Sequence, residues 1–234
     1  YNRFSIGTLY MKAMHALTVD NLVFGCRDTH LEILLIRHGD GASIGQWGLP
    51  GDWLLDRETL SEAASRVLLE KTGLSDIYLE QLRTFSDLDR YPTDRIITTA
   101  FFSLIRPDAY KLAVGAYQLE VKWYPVNDIP KLIFDHEEIL QVGIDHLKHK
   151  VCHEPIGFNL LPEKFTLLEL QKLYEAILDV SLDKPNFRRK MKKMNLLISC
   201  EEKQSGVAHR AAALYRFDRE RYFELKNQGF VFEV

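Results

Sequence analysis

The sequence predicts an α+β chain in two parts: a mixed sheet with one packed helix, then a smaller unit of two helices and a hairpin. Three observations predict this. Residues 15–24 (HALTVDNLVF) and 31–37 (LEILLIR) are runs of branched apolar residues, and Gly25, Asp28 and His30 punctuate the gap between them, as in paired strands joined by a turn. Residues 59–71 switch to a helical period, after which strand-like segments resume. From residue 135 the pattern is mainly helical, and it closes on two strand-like segments around Gly206.

Each element has its own signal. Trp47-Gly48-Leu49-Pro50-Gly51 reads as a punctuated loop. Leu60, Ala63, Ala64, Val67 and Leu68 recur at helical spacing, and Gly73 suits the stop. Residues 77–85 and 95–106 read as strands, the second rich in Ile, Thr and Phe, and 118–124 (QLEVKWY) alternate. Pro125 and Pro130 break the chain. Residues 135–150 form a helix with Ile139, Val142 and Leu147 near one stripe, a bridge to a second domain from about 151. FNLL (158–161) is a short strand candidate. Thr166 and Glu169 make a capping box, and Leu167, Leu170, Tyr174 and Ile177 share one helical face. Pro185 suits the first turn of the next helix, whose Phe187, Met191 and Met194 point inward. Residues 196–200 and 207–217 are the hairpin. Helix, helix, hairpin in ~80 residues is a winged helix-turn-helix pattern.

Composition excludes whole classes. Of the 234 residues, 46% are hydrophobic and 27% charged. That is ordinary globular usage, not that of a disordered, collagen-like or disulfide-stapled chain. Cys26, Cys152 and Cys200 are far apart and form no CxxC pair, which points to a reducing compartment and away from a thiolate metal site. No cofactor or metal is expected. No stretch approaches the ~18 apolar residues of a membrane helix. Tyr1-Asn2-Arg3-Phe4 has no signal-peptide pattern, so a cytoplasmic location is expected. The net charge of -3 is uneven: residues 151–234 hold 14 Lys and Arg against 12 Asp and Glu, and residues 1–150 hold 16 against 21. A local basic patch, not the global balance, forms an electrostatic footprint for nucleic acid.

That patch lies on the second helix of the C-terminal part. Lys184 to Lys193 holds six basic residues and no acid. With an apolar stripe behind it, such a helix can enter a DNA major groove. Arg188, Arg189, Lys192 and Lys193 are the leading candidates, with Asn186 and Lys190 beside them and His209 and Arg210 at the hairpin tip. The plainer reading is a solvated basic face. Two basic helices about one turn (~34 Å) apart match a palindrome, so double-stranded operator DNA and a homodimer are the expected partners.

Residues 49–74 (LPGDWLLDRETLSEAASRVLLEKTGL) resemble the Nudix box. Glu58 takes the first Glu position, and Arg66, Leu68, Glu70, Gly73 and Leu74 fall in place after it. Trp47, Leu49, Pro50 and Gly51 match the usual lead-in. The resemblance implies a Nudix-like α/β/α sandwich. Three positions depart: Asp52 replaces a Gly, and Val67 and Lys71 replace glutamates that, with the one at 70, hold divalent metal in active members. Positions 67, 70 and 71 share one helix face, so three carboxylates there could concentrate charge for Mg²⁺. Val, Glu and Lys sum to zero charge. Loss of hydrolase activity is therefore expected, with Glu70 paired to Arg66 at i, i+4.

The whole chain resembles the Nudix-related, NrtR-like transcriptional regulators. LEQLRTFSDLDRYPTDR (79–95), LLPEKFTLLELQKLYEAIL (160–178) and LDKPNFRRKM (182–191) carry that likeness. It implies a Nudix-like sensing domain over 1–150, ending in a linking helix, and a winged helix-turn-helix domain over 151–234. Within the family, the chain resembles more the Bacteroides-type, AraR-like repressors of L-arabinose use, which arabinose releases from DNA. Asp52 and Tyr91-Pro92-Thr93-Asp94 favour that subgroup, because ADP-ribose responders tend to have a Gly- and Arg-containing turn there. Carboxylates accept from sugar hydroxyls, and Asp40, Asp52, Asp87 and Asp89 lie near the loops. Arg37, Asp40, Trp47, Asp87, Asp89 and Arg95 are the candidate ligand contacts, and loops 37–47 and 86–95 the pocket rim.

Alternatives remain at this level. The chain could regulate NAD metabolism by sensing ADP-ribose. It could be a metal-dependent pyrophosphohydrolase using Glu58, Glu62 and Glu70. It could be a scaffold whose basic helix binds an acidic protein.

Overall fold

The computed structural model describes residues 16–27, 30–206 and 211–234, and the backbone of 3–6 and 9–12. Strands β1 (Arg3–Ile6) and β2 (Leu9–Lys12) pair as an antiparallel hairpin. The main sheet holds β3 (Leu17–Arg27), β4 (His30–His38), β5 (Trp47–Gly48), β6 (Gly51–Trp53), β7 (Glu80–Phe85), β8 (Ile97–Ile105) and β9 (Gln118–Pro125). Its main path runs β5-β4-β3-β8-β7, with β9 beside β4 and β6 beside β3. β3 and β8 are parallel, from Leu17 opposite Ile97 to Gly25 opposite Ile105.

β3 and β4 pair only from Phe24–Ile33 to Arg27–His30. Away from that turn they part. The start of β3 takes β6 as its partner and the end of β4 takes β5, while β9 pairs along β4 from Glu32 to His38. The parted strands frame a cleft.

Strand alternation buries both faces of this sheet. Val19 packs with Ala63, Ala64 and Val67 of α1 (Leu60–Thr72), and Val23 with Leu68 of the same helix. Leu22 and Phe24 belong to the opposite layer, with Ile139, Leu140 and Leu147 of α2 (His136–His153). The result is an α/β/α sandwich. α1 starts in a Thr59–Glu62 capping box and stops at Gly73, whose φ of 75° is left-handed. α2 lies close on β3 at Gly143, where an added Cβ would stand 2.5 Å from Leu22 Cδ2.

The second unit begins with a 3-10 turn at Pro155–Leu160. It continues through α3 (Leu167–Leu178), α4 (Lys184–Lys193), β10 (Leu197–Lys203), β11 (Ala213–Phe217) and α5 (Arg219–Asn227). Thr166 and Glu169 cap α3 reciprocally, and Asp183 caps α4 by accepting the Asn186 N–H at 3.0 Å. Buried Gln171 donates to the Leu182 carbonyl, and Glu175 accepts the Leu182 N–H, which fixes the turn between the helices. β10 and β11 form the wing, and Phe165 exchanges backbone hydrogen bonds with Tyr215 beside it.

Several segments differ from the sequence reading, which has no counterpart of the β1–β2 hairpin. FNLL lies in the 3-10 turn rather than a strand, because Pro155 fixes φ and has no N–H for a ladder. β5 and β6 replace a segment read as loop. They are two and three residues long, too short to show a period. α5 was not anticipated, because its one buried residue, Tyr222, leaves no stripe. No helix among the described residues is long and apolar enough to cross a membrane.

Candidate functional site

The gap between the parted strands is a cleft of about 370 Å³. Asp20 on β3, Arg90 from the loop before β8, and His136 at the start of α2 line it. All three are more than nine-tenths buried. Asp20 accepts the Thr98 hydroxyl at 2.7 Å and lies 3.9 Å from Arg90 Nη2 and 3.6 Å from His136 Nε2. Arg90 donates Nε and Nη2 to the two oxygens of Asp135 at 2.8 and 2.9 Å. A buried charge is tolerated when it is paired in this way, and removing one partner is strongly destabilising. His136 Nδ1 accepts the Leu49 N–H at 3.0 Å. The neutral ring therefore carries its proton on Nε2, facing Asp20. Burial holds its pKa below the ordinary value, against the raising effect of Asp20 and Asp135. Tyr91 and Phe134 also line the cleft, with ring centroids 4.5 Å apart.

The box helix borders the same cleft through Lys71. Its Nζ lies 2.7 Å from Asp52 Oδ2, so two of the three departures from the box pair with each other. Val67, the third, is fully buried in the core. Glu58 receives Nε and Nη2 of Arg66 at 2.9 and 2.7 Å and the Leu55 N–H at 2.8 Å. Hydrogen bonding from Arg66 lowers its carboxyl pKa to about 2. Glu70 meets Arg66 Nη1 at 3.0 Å, and Glu62 is spent on the helix cap. Hard cations need several convergent free oxygen ligands. Here every box carboxylate is matched to a guanidinium, an ammonium or a cap, so the donor set does not fit a divalent metal.

Of the sequence candidates, Asp40 lines the cleft, as do Gly51, Asp52 and Lys71. Arg37 instead donates Nε to the Gly45 carbonyl at 3.0 Å and closes the loop after β4. Trp47 packs edge-on against Tyr124, centroids 5.0 Å apart, within the α2 layer. Asp87, Asp89 and Arg95 sit on the exposed loop around Arg90, where Arg95 Nη1 donates to the Asp87 carbonyl at 2.7 Å. Sequence reasoning missed Asp20, Arg90 and His136. A signal existed for the first: an Asp in the middle of an otherwise apolar strand needs a buried partner.

The basic helix α4 buries Phe187 and Met191 and half-buries Met194. Asn186, Arg189, Lys190, Lys192 and Lys193 are exposed, and Arg188 is half-buried. The Arg189 guanidinium donates to the Asn186 side-chain oxygen. His209 and Arg210 lie outside the described residues.

One helix joins the two regions. Ile133, Phe134 and His136, at and just before the start of α2, line the cleft. At the far end, Lys150 Nζ meets Glu80 Oε1 at 2.6 Å, Val151 packs in one cluster with Leu173 and Tyr174 of α3, and the Cys152 carbonyl accepts the Val234 N–H at 3.0 Å. At 18 residues, α2 spans about 27 Å.

Known proteins share both halves. The NrtR DNA-binding winged helix domain matches residues 157–217, and the NUDIX domain matches residues 14–142. The ADPR responsive transcriptional repressor NtrR of Acinetobacter baylyi is 35% identical over 211 residues, 88% of this chain and 83% of that protein. The crystal structure of Shewanella oneidensis NrtR complexed with a 27mer DNA superposes with a TM-score of 0.70 at 29% identity, covering 86% of this chain and 93% of that one. The NUDIX domain of the same protein, in its complex with ADP ribose, gives 0.54 at 31% identity over 58% and 90%. An ADP-ribose pyrophosphatase of Methanocaldococcus jannaschii is 30% identical over 135 residues, 58% of this chain and 75% of that protein.

These relatives overturn the L-arabinose reading and, with it, the place in carbohydrate metabolism. The repressor that matches 88% of this chain responds to ADPR, and the NUDIX domain of Shewanella oneidensis NrtR is complexed with ADP ribose. The physical case for a sugar also weakens. Asp87, Asp89 and Trp47 are not in the cleft lining, Asp52 is neutralised by Lys71, and the half-buried Trp47 packs against Tyr124.

Proposed function

This chain belongs to the family of Nudix-domain regulators with an NrtR-type winged-helix DNA-binding domain, and on that footing we propose that it is a transcriptional repressor released from its operator by ADP-ribose. The observation that carries the reading is the position of α2. Its start walls the cleft and its end is packed into the DNA-binding unit. A ligand seated against Phe134 and His136 acts directly on the helix against which α3, and through it α4, is packed. Asn186, Arg188, Arg189, Lys190, Lys192 and Lys193 face DNA, and two copies of the chain place two α4 helices on a palindrome. Release requires only that ADP-ribose prefer the arrangement in which the two α4 helices no longer match adjacent grooves. The matched charges of the box remove its metal ligands, so the cleft binds without hydrolysing.

The test has two steps. The purified chain is used to select duplexes from a random DNA pool, and the enriched site is then titrated with ADP-ribose, NAD and L-arabinose. The expected outcome is a palindrome with half-sites about one helical turn apart, eluted by ADP-ribose alone. Lack of any enrichment at low salt, where phosphate contacts are strongest, would sink the DNA reading. Elution by L-arabinose would sink the effector, and metal-dependent turnover of ADP-ribose would restore the hydrolase.

A further inference from the structure

We infer that the Lys71 ammonium replaces a divalent cation in this cleft, holding a diphosphate without metal, and that Asp52 is the internal counter-ion with which the ligand competes. This role of Lys71 rests on the effector reading above. Two cationic side chains line the cleft among the described residues, Lys71 and Arg90. Arg90 is fully committed: its guanidinium is bidentate on Asp135 and lies against Asp20, and its side chain is 4% exposed. Lys71 is held by one carboxylate, and that carboxylate is itself 31% exposed. The other oxygen of Asp52 accepts the Trp53 N–H at 2.8 Å. An ammonium has three protons, so a lysine tied to one acceptor keeps two for a ligand. With its side chain 15% exposed, Lys71 is largely dehydrated before a ligand arrives, which strengthens its attraction for phosphate oxygen.

The two departures are coherent only as a pair. Asp52 alone would add an unmatched acid to a cleft already bordered by Asp20 and Asp40. Lys71 alone would leave an unpaired buried ammonium. Together they cancel each other's charge in the empty cleft while storing one cation that an anion can recruit.

The test is calorimetric binding to the full-length protein with two probes, ADP-ribose and inorganic pyrophosphate. Each is measured in EDTA and in Mg²⁺. Wild type is expected to bind ADP-ribose equally in both, to within about twofold. Lys71→Met is expected to weaken binding about tenfold or more, the loss of one charge-assisted contact. Lys71→Arg keeps the charge and is expected to stay within about threefold, which also guards against a folding defect in the Met variant. Asp52→Asn frees the ammonium and is expected to tighten binding about threefold or more. Opposite signs for the two partners are something a purely structural ion pair does not produce. Binding that requires Mg²⁺, a Met variant equal to wild type, or loss of affinity in Asp52→Asn overturns the role of Lys71 and leaves ADP-ribose as effector. Pyrophosphate binding in EDTA with the same variant pattern, but no ADP-ribose binding, overturns the effector and leaves the anion anchor. Failure of both probes overturns both.

Discussion

Gly51 is a glycine because of where Asp20 must sit. A Cβ at 51 would stand 2.0 Å from Asp20 Oδ1 and 3.0 Å from the Val19 carbonyl. Both neighbours are fixed, one by the β3 ladder and one by Thr98, so neither can yield cheaply. Gly51→Ala is expected to cost about 1–3 kcal/mol by overpacking, seen as a lower urea midpoint at unchanged m. His136 carries a signature of another kind. Burial depresses its folded pKa below the ordinary 6.5, and it does the same to His38 and His146. Above that value neither folded nor unfolded chain binds the proton, and stability is flat. Below it the unfolded chain gains protons that the folded ring refuses. Stability therefore falls as pH drops, by at most about 1.4 kcal/mol per pH unit for the fully buried His136 until the folded ring protonates, and by less for the solvent-screened His38 and His146. Urea titrations at pH 7.5 and 5.5 check this. His136→Asn is expected to reduce the slope, and an unchanged slope would mean that the ring takes its proton while still folded.

At the scale of elements, what the sequence reveals depends on length and period. α1, α3 and α4 are legible because each carries an apolar stripe between a cap and a stop. β3, β4 and β8 are legible because both of their faces are buried. β5 and β6 are not, although the split of the sheet depends on them. The site shows the same contrast. The box is a local pattern over 26 residues, so its register, and the charge reversal at Lys71, could be read directly. The Asp20–Arg90–His136 cluster joins residues 46 to 116 positions apart, and no local period marks it. α4 is the case in which local pattern and packed structure coincide, since Phe187 and Met191 turn inward and leave the cations outside. Its charges divide by expected effect. Replacing Arg189, which with Asn186 forms a prearranged polar pair, is expected to cost about 1–3 kcal/mol and to relax base preference at one position of each half-site. Replacing Lys193 is expected to weaken binding to all duplexes alike and to lower the salt slope by about one unit per site contacted. Binding isotherms on the selected operator and on a scrambled duplex, at several salt concentrations, separate the two effects.

At the scale of the molecule, the proposed function requires that a cleft under one end of α2 govern a helix beyond its other end. α2 is held at both ends by ion pairs, Arg90 with Asp135 at its start and Lys150 with Glu80 near its close. On the proposed reading, a ligand bound at the start acts on the first clamp. On that reading the second clamp, beside a cavity shared by Glu80, Arg106, Ile156 and Asn159, is the point at which a shift of α2 would pass to the DNA-binding unit. Breaking the second clamp should therefore change the coupling without changing either site. Lys150→Ala is expected to keep ADP-ribose affinity and ligand-free operator affinity within about twofold of wild type, while the ratio of operator affinities with and without ADP-ribose shrinks by about fivefold, at the low end of common coupling energies. Linkage makes this checkable from the other side: the factor by which ADP-ribose weakens operator binding must equal the factor by which operator DNA weakens ADP-ribose binding, in wild type and in the variant alike. A variant that loses affinity at one site while keeping that ratio would place Lys150 in the site itself and not in the connection. Equal coupling in the two proteins would show that α2 transmits through its packed apolar face, along Ile139, Leu140 and Leu147, with no need of its terminal charges.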